Sequence, residues 1–230
     1  MQHERSEDTP LSAVLFDMAG VLVPTLADAH FKSIESKHGL PVGSIASCWL
    51  HPSVRSAYAA VELGEVSVAQ FEQQTFSEHF RKMFDHPSLP SPLRPFTSAE
   101  RVYTCTDLLY PEMLRTVQRL KAHGFVTAVI TNNYWLDEER SRTAMYLQRH
   151  VHLFDHIFES CRLHLRKPDA RIFEHALQAM RKSPRECVFL DDAQSNLVNA
   201  AELGMHTIWV NTIQEGITKL ETLLALKLNE

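Results

Sequence analysis

The sequence predicts an α/β fold, a doubly wound parallel sheet whose core is interrupted by an inserted helical cap domain. Short apolar runs alternate with amphipathic segments from residue 111 onward, and this alternation is typical of a parallel sheet. An earlier apolar run at residues 13–16 precedes a long stretch without any central-strand pattern. We therefore expect a core of residues 1–24 and 107–230 and a helical cap at residues 25–106.

Each predicted strand is a short, uninterrupted apolar run, as expected of strands that are buried on both faces. The first run ends abruptly at Asp17, and Gly20 permits a tight turn shortly after it. In chain order, the expected strands are residues 13–16, 125–130, 156–158, 187–190 and 206–210.

The cap is expected to be helical throughout. A helix is predicted over about residues 26–37, and Ser67 is a candidate N-cap for a later one. The proline-rich residues 86–95 predict no regular element. Four aromatic side chains could line an apolar pocket, although we expect them to pack inside the cap. They are Trp49, Tyr58, Phe71 and Phe76.

The core helices are predicted from apolar residues at three- and four-residue spacing. The first begins with Pro111 at its first position and stops at His123-Gly124. The others are expected at about 136–149 and 169–181, through Leu197 to Gly204, and at about 214–226.

Composition restricts the class of protein. The 230 residues are 44% hydrophobic and 22% charged, with a net charge of −5. These values are typical of a globular protein and argue against nucleic acid or an anionic membrane as the main partner. No run of eighteen apolar residues exists. The polar opening residues lack the apolar core of a secretory signal, so we expect an intracellular, cytoplasmic protein.

The cysteines and histidines indicate neither a disulfide framework nor a zinc site. The four cysteines are widely spaced, and the thirteen histidines include no H-E-x-x-H stretch. This pattern favours a reducing compartment, and Cys187, which lies in an apolar run, is expected to be a small buried hydrophobic residue. The cysteines are Cys48, Cys105, Cys161 and Cys187.

Three of the predicted strands end in polar residues, namely Asp17, Thr131 and the pair Asp191-Asp192. The carboxyl ends of parallel strands lie along one edge of a sheet, and Lys167 is in a loop that could reach that edge. Neighbouring carboxylates raise one another's pKa. A divalent cation relieves this conflict, and a set of oxygen ligands suits Mg²⁺.

Together these groups have the parts needed for phosphoryl transfer through an aspartyl-phosphate. Mg²⁺ and Lys167 would offset the repulsion between a carboxylate and a phosphate, while the Thr131 hydroxyl and backbone amides would bind phosphoryl oxygens. Taken singly, Asp191-Asp192 and Thr131-Asn132-Asn133 could be helix caps, and Lys167-Pro168 could be a solvated turn. Their joint occurrence in this order favours a phosphate site.

Four short motifs carry a family resemblance. They resemble the motifs of the haloacid dehalogenase-like hydrolase superfamily, in the same order and along nearly the whole chain. A particular branch of the superfamily holds the amino-terminal domains of soluble epoxide hydrolase and acyl-CoA dehydrogenase family member 10. The stretches that further resemble this branch are residues 131–137, 158–161, 167–173, 189–192, 196–197, 200–201 and 203–208. The motifs are Phe16-Asp17-Met18-Ala19-Gly20-Val21, Thr131-Asn132, Lys167-Pro168-Asp169 and Leu190-Asp191-Asp192.

The resemblance implies a Rossmann-like core with a helical cap, and a magnesium-dependent phosphatase-like hydrolase that acts on a small phosphorylated metabolite. In that reading Asp17 is the nucleophile, and Lys167 bridges it to the phosphoryl group. Thr131 and Asn132 hold the phosphoryl group. No nucleic-acid or membrane partner is implied, and the sequence does not indicate the oligomeric state.

The resemblance also implies a metal site, with Mg²⁺ as the cofactor. Asp17 and the backbone carbonyl of Ala19 would bind the cation. Asp192 would bind it directly, and Asp191 would act through water.

Ala19 departs from the family pattern. Phosphatases of the superfamily usually have a second Asp here, which protonates the leaving group and then activates the hydrolytic water. Loss of a general acid–base costs roughly 10²–10⁴ in rate, so we expect activity that is weak or selective for good leaving groups, such as acyl or aryl phosphates. The alternative is a catalytically degenerate module that binds phosphate-bearing ligands or other partners.

Two related chemistries also lack that Asp. The dehalogenases of the superfamily work without magnesium, and the intact Asp191-Asp192 pair argues against that route. The phosphonate-cleaving relatives need a cap lysine that forms an imine with the substrate, for which only Lys32, Lys37 or Lys82 could serve.

Overall fold

The core is a five-stranded parallel sheet, which confirms the predicted fold class. The computed structural model describes residues 10–25, 27–84, 93–96 and 109–228, and the side chains of residues 27–29 lie outside that description. The strands are β1 (Ala13–Phe16), β2 (Val126–Thr131), β3 (His156–Glu159), β4 (Cys187–Asp191) and β5 (His206–Trp209). Their order in the sheet is β3-β2-β1-β4-β5, with every pair parallel.

β1 occupies the centre of the sheet because its four residues are all apolar and fully buried. Phe16 pairs with Val129 of β2 on one side and with Leu190 of β4 on the other. This register places Asp17, the residue after β1, between the carboxyl ends of the two neighbouring strands.

Helices cover the sheet and also make up the segment predicted as the cap, which we call the cap from here on. In the cap they are α1 (Ala27–His38), α2 (Ser44–Leu50), α3 (Pro52–Glu62) and α4, which runs through Val68–Gln70, a π-helical stretch Phe71–Phe76, and Ser77–Met83. In the core they are α5 (Pro111–Ala122), α6 (Ser160–Leu163), α7 (Ala170–Met180), α8 (Gln194–Glu202) and α9 (Ile213–Leu224), with 3₁₀ turns at Val151–Leu153 and Pro184–Glu186.

The two faces of the sheet pack against different helices. Val14 and Phe16 belong to the apolar cluster that α5 and α9 complete, whereas Ala13 and Leu15 belong to the cluster of α7 and α8. Successive residues of a strand point to opposite faces. The alternation along β1 therefore gives the doubly wound arrangement that the sequence predicts.

The cap helices pack around a second apolar cluster, to which Tyr134 and Ala144 of the core also belong. Tyr58, Phe71 and Phe76 are buried in it, and Trp49 packs against Tyr58 with ring centroids 4.6 Å apart. These aromatic residues thus pack on one another, as expected. The predicted N-cap is also confirmed, because Ser67 opens α4 with a capping box.

The predicted helix over residues 136–149 is wrong. The Asp137 carboxylate accepts hydrogen bonds from the Ser141 backbone N at 2.7 Å and from its hydroxyl at 2.9 Å, so a side chain takes the backbone donor that a helix would use. The apolar residues of the segment are also divided between two clusters. Ala144 is buried with the cap, whereas Leu147 is buried against the sheet.

Some predictions fall outside the described residues, including the proline-rich residues 86–92, Cys105 and the junction of core and cap at 106–107. The division into core and cap domains therefore stays a prediction. The other three cysteines are buried and unpaired, and burial raises the pKa of each thiol to about 12. Among the described residues, no helix combines the length and the apolar character needed to cross a membrane.

Candidate active site

Three carboxylates converge at the carboxyl edge of the sheet. Asp17 follows β1, Asp191 ends β4, and Asp192 begins the loop to α8. Each offers an oxygen atom, and these atoms all lie within 4.8 Å of one another. We call these three residues the acidic cluster. It has the spatial arrangement that the ends of the predicted strands implied.

Lys167 lies inside the acidic cluster. Its side chain is only 1% exposed, and its Nζ atom is 2.8 Å from Asp17 Oδ1 and 2.6 Å from Asp191 Oδ2. Burial alone would lower the lysine pKa, but the two carboxylates outweigh burial and raise it. The ammonium therefore stays charged between two acids that would otherwise repel each other.

One ammonium does not neutralise three carboxylates. Burial, together with the neighbouring Asp191, raises the pKa of Asp17 to about 7, although Lys167 opposes the change. Burial and the charge of Asp191 also raise the pKa of Asp192, whose side chain is more exposed. The acidic cluster thus retains excess negative charge.

Asp191 is fully buried and is held by three donors. Besides Lys167, its carboxylate accepts hydrogen bonds from the Ala193 backbone N at 2.8 Å and from Asn196 Nδ2 at 3.0 and 3.1 Å. The spacing of Asn196 from Asp191 could have suggested this contact, because residues in the first turn of a helix reach back toward the strand before it. No role of Asn196 at the site is predicted from its sequence position alone.

Asn132 holds the backbone of Lys167. Its Nδ2 donates to the Lys167 carbonyl at 3.0 Å, and its Oδ1 accepts from the Lys167 N at 2.8 Å. Both ends of the amide are therefore engaged by the loop that carries the lysine, whose bond to Pro168 is cis. The side chain of Asn132 fixes Lys167, and its second Nδ2 hydrogen remains for other contacts.

Thr131 ends β2 beside the acidic cluster. The residue is 2% exposed, and its hydroxyl makes no hydrogen bond with any part of the chain that the structure describes. The hydroxyl is therefore available to donate a hydrogen bond to a ligand oxygen.

Ala19 and Gly20 form the turn after Asp17. Gly20 has a φ of +86°, and a Cβ atom built on it would lie 2.3 Å from Asp192 Oδ2. Only glycine lets the turn approach the Asp192 carboxylate so closely. At Ala19 the side chain is a methyl group, which carries no acid.

The end of α3 docks the cap onto the loops that hold the site. The Ser160 hydroxyl donates to the Glu62 carbonyl at 2.6 Å, and Arg166 Nη2 lies 2.7 Å from Glu62 Oε2. His164 Nδ1 contacts the Leu63 carbonyl at 2.8 Å. Burial raises the pKa of Glu62 despite Arg166. These contacts, which the sequence did not reveal, attach the cap directly beside Lys167.

The residues present fit a hard divalent cation. The acidic cluster supplies only oxygen ligands, which Mg²⁺ prefers. Three carboxylates face one ammonium in the acidic cluster, and such a cation would neutralise the negative charge that Lys167 leaves uncompensated. The donor set thus matches the ion that the motifs imply.

The chain belongs to the haloacid dehalogenase-like hydrolase family, because the model of that family matches residues 11–204. The matched range includes β1, β4 and every residue of the acidic cluster. The family resemblance of the four motifs is therefore confirmed, and the protein is a member of a hydrolase family.

Two curated relatives cover nearly all of this chain. Acyl-CoA dehydrogenase family member 10 of Mus musculus is 32% identical over 94% of the chain and 19% of the relative. Bifunctional epoxide hydrolase 2 of Sus scrofa is 30% identical over 95% of the chain and 40% of the relative. The chain therefore spans two fifths or less of the length of these relatives.

A solved structure shows the same fold. The HAD family enzyme of Bacteroides thetaiotaomicron, in complex with magnesium and inorganic phosphate, superposes with a TM-score of 0.58 at 18% identity. The match covers 86% of this chain and 93% of that one.

Proposed function

We propose that this protein is a magnesium-dependent phosphatase-like hydrolase that acts through an aspartyl-phosphate on a small phosphorylated metabolite. The observation that carries the proposal is the buried contact of Lys167 with Asp17 and Asp191 inside the acidic cluster. Membership of the hydrolase family supports it. So does the solved HAD enzyme, whose complex contains both magnesium and inorganic phosphate.

Asp17 is the proposed nucleophile. Its Oδ1 accepts hydrogen bonds from the Met18 N at 2.7 Å and contacts Lys167 Nζ at 2.8 Å, so we assign the attack on phosphorus to Oδ2. The new Oδ2–phosphorus bond forms as the bond between phosphorus and the leaving-group oxygen breaks. The leaving group departs with that electron pair.

The remaining groups hold the phosphoryl oxygens. Lys167 would bridge Asp17 and the phosphoryl group, and the Thr131 hydroxyl with nearby backbone amides would donate to the other oxygens. Asn132 contributes by fixing the Lys167 backbone. When bound, Mg²⁺ would be held by Asp17, Asp192 and the Ala19 carbonyl, with Asp191 acting through water, and would supply charge neutralisation.

Ala19 limits the reaction at both of its steps. No side chain at this position donates a proton to the departing oxygen, which takes its proton from water. None accepts a proton from the water that attacks phosphorus, so that proton passes to solvent or to the released phosphate as the Oδ2–phosphorus bond breaks and the Asp17 carboxylate is restored. We therefore expect turnover of acyl and aryl phosphates, whose leaving groups need little protonation. The same methyl group favours the second candidate, a phosphate-ligand-binding module without significant turnover.

Phosphate release from an aryl phosphate and from an acyl phosphate, with Mg²⁺ or with EDTA, tests the proposal. We expect turnover that requires Mg²⁺ and falls by at least about 10⁴-fold in Asp17→Asn. In Ala19→Asp, we expect hydrolysis of alkyl phosphates to rise by roughly 10²-fold or more. Failure of the wild type to hydrolyse either good substrate would favour the binding module.

A halide-release assay with a 2-haloacid, performed in EDTA, separates the proposal from dehalogenation. Release of halide without Mg²⁺, together with no release of phosphate, would assign the chain to the other chemistry that the family name denotes.

A further inference from the structure

Trp209 is a large apolar side chain at the edge of the site. It ends β5 and is 40% exposed, which is unusual for tryptophan. Its indole Nε1 donates to the backbone carbonyl of Asp192 at 2.9 Å. The ring therefore contacts the peptide that carries one member of the acidic cluster.

The same peptide segment is also tied to β5 by the backbone. Asp191 pairs with Trp209 in the sheet, and the Val210 N donates to the Asp191 carbonyl at 3.0 Å. The strand pairing thus fixes the backbone of Asp191 and stops there. The hydrogen bond from the indole N–H attaches the next residue, Asp192, to β5 as well.

Asp192 depends on this continuation. Its side chain is exposed, and no side chain in the described ranges donates a hydrogen bond to its carboxylate. Asp191, by contrast, is held by the side chains of Lys167 and Asn196. The direction of the Asp192 carboxylate is therefore set by its backbone and by the close approach of Gly20.

Helix α9 holds the indole in place. Lys219 Nζ donates to the Trp209 carbonyl at 3.2 Å and lies 5.9 Å from the centroid of the indole ring. An ammonium near an aromatic face is attracted to it. The indole thus lies near the Lys219 ammonium and donates to the Asp192 carbonyl.

We propose that Trp209 is a positioning residue for the cation site, since its indole N–H fixes the Asp192 peptide so that the carboxylate faces Asp17 and Asp191. The inference rests on the proposed function for the identity of the cation. It adds a residue outside the four motifs, on the last strand of the sheet. Outer contacts that orient a metal ligand commonly contribute to metal affinity.

Calorimetric titration of the wild type and Trp209→Phe with MgCl₂ in the absence of substrate tests the inference. Phe keeps an aromatic ring but removes the N–H donor. We expect the Kd for Mg²⁺ to rise about 3- to 10-fold, the range of one hydrogen bond. We expect kcat at saturating Mg²⁺ to change less than twofold, because the ligand is displaced and not removed.

Trp135→Phe is the matched control, because it also removes an indole N–H from a backbone carbonyl, that of Cys161 at 3.2 Å. Its Kd for Mg²⁺ should equal that of the wild type. Tryptophan emission gives a second measurement. A change on Mg²⁺ addition should persist in Trp135→Phe and be absent from Trp209→Phe.

The outcomes distinguish the inference from the proposed function. Equal Mg²⁺ binding by the wild type and by Trp209→Phe overturns the inference alone. A wild type that binds no Mg²⁺ overturns the proposed cation and the inference with it. A larger Kd in both tryptophan variants shows a general loss of packing and also overturns the inference.

Discussion

Buried carboxylates occur in the cap and at the edge of the sheet, and the two regions stabilise them differently. In the cap, Glu35 is 1% exposed and accepts hydrogen bonds from the backbone N atoms of Gly43 and Ile45, both at 2.8 Å. Glu72 is fully buried and accepts from the Phe96 N at 2.6 Å. In the acidic cluster at the sheet edge, the carboxylates face a lysine and one another.

The difference separates acids that hold the fold together from the acids that we propose to act in the reaction. Glu35 binds backbone N–H groups, which are neutral and fixed in position. Its carboxylate therefore joins α1 to the start of α2 and is not available to a ligand. Asp17 is paired with the Lys167 ammonium and lies beside two further carboxylates. That arrangement leaves its charge incompletely compensated, which is the condition for binding a cation or attacking an electrophile.

Replacing one acid from each region should have different effects on stability. In EDTA at pH 8, we expect Glu35→Gln to lower the free energy of unfolding by about 1–3 kcal/mol, because the amide turns an NH₂ group toward a backbone donor. Asp17→Asn should leave it unchanged or raise it, because the buried charge is removed. Urea denaturation measures both.

Turnover of an aryl phosphate is the control for this pair. Folded Glu35→Gln should keep wild-type activity, whereas Asp17→Asn should be inactive. Equal destabilisation by the two substitutions would show that the two regions do not differ as described.

The pH dependence of stability sharpens the same contrast. The pKa of Asp17 is raised from 3.8 to about 7 in the folded state, mainly by burial. The folded protein therefore binds more protons than the unfolded chain between these values. The contribution of Asp17 to stability is present below about pH 4 and is lost as the pH rises through about 7.

The Tm difference between Asp17→Asn and the wild type, measured in EDTA from pH 5 to pH 8, isolates this contribution. We expect the difference to increase with pH in favour of the variant, by a few degrees, and to shrink when Mg²⁺ is present. A difference that stays constant across this range would contradict the raised pKa of Asp17.

The sheet and its polar edge could be predicted because each depends on local signals. An unbroken apolar run that stops at Asp17 or Asp191 marks both a buried strand and the position of its end. The acidic cluster then follows from the rule that parallel strands end at one edge. For the same reason, the loop of Lys167 could be placed near the site before its contacts were known.

The contacts that hold the site could not be predicted, because their partners are backbone groups far apart in the sequence. Nothing in the residue type shows that the Asn132 amide binds the Lys167 backbone, or that the Trp209 indole reaches the Asp192 carbonyl. Glu35 likewise looks like any surface acid of an amphipathic helix.

The helix predicted after Asn133 was wrong for a different reason. Its apolar spacing resembles that of a helix, but Asp137 binds the Ser141 backbone locally. Its apolar residues pack into two separate clusters. Ala144 belongs to the cluster of the cap, and Leu147 belongs to a cluster of the sheet. The spacing of apolar residues cannot show whether they pack into one cluster, as on one face of a helix, or into two separate clusters.

One glycine from each region can also be compared, and the expected difference is the smallest of those considered. Gly20 at the sheet edge and Gly39 in the cap both have positive φ, +86° and +62°. Replacement by Ala should cost each about 1 kcal/mol of stability through backbone strain. Only at Gly20 does the added Cβ meet a carboxylate, 2.3 Å from Asp192 Oδ2, whereas nothing lies within 4 Å at Gly39.

We therefore expect Gly20→Ala to weaken Mg²⁺ binding by about tenfold, because the exposed Asp192 side chain must turn away, while Gly39→Ala leaves the Kd unchanged. Calorimetry gives the Kd values, and thermal unfolding shows whether the two variants lose similar stability. If both variants bind Mg²⁺ as the wild type does, the Asp192 carboxylate does not need the position that Gly20 allows, and its assignment as a direct ligand would have to be withdrawn.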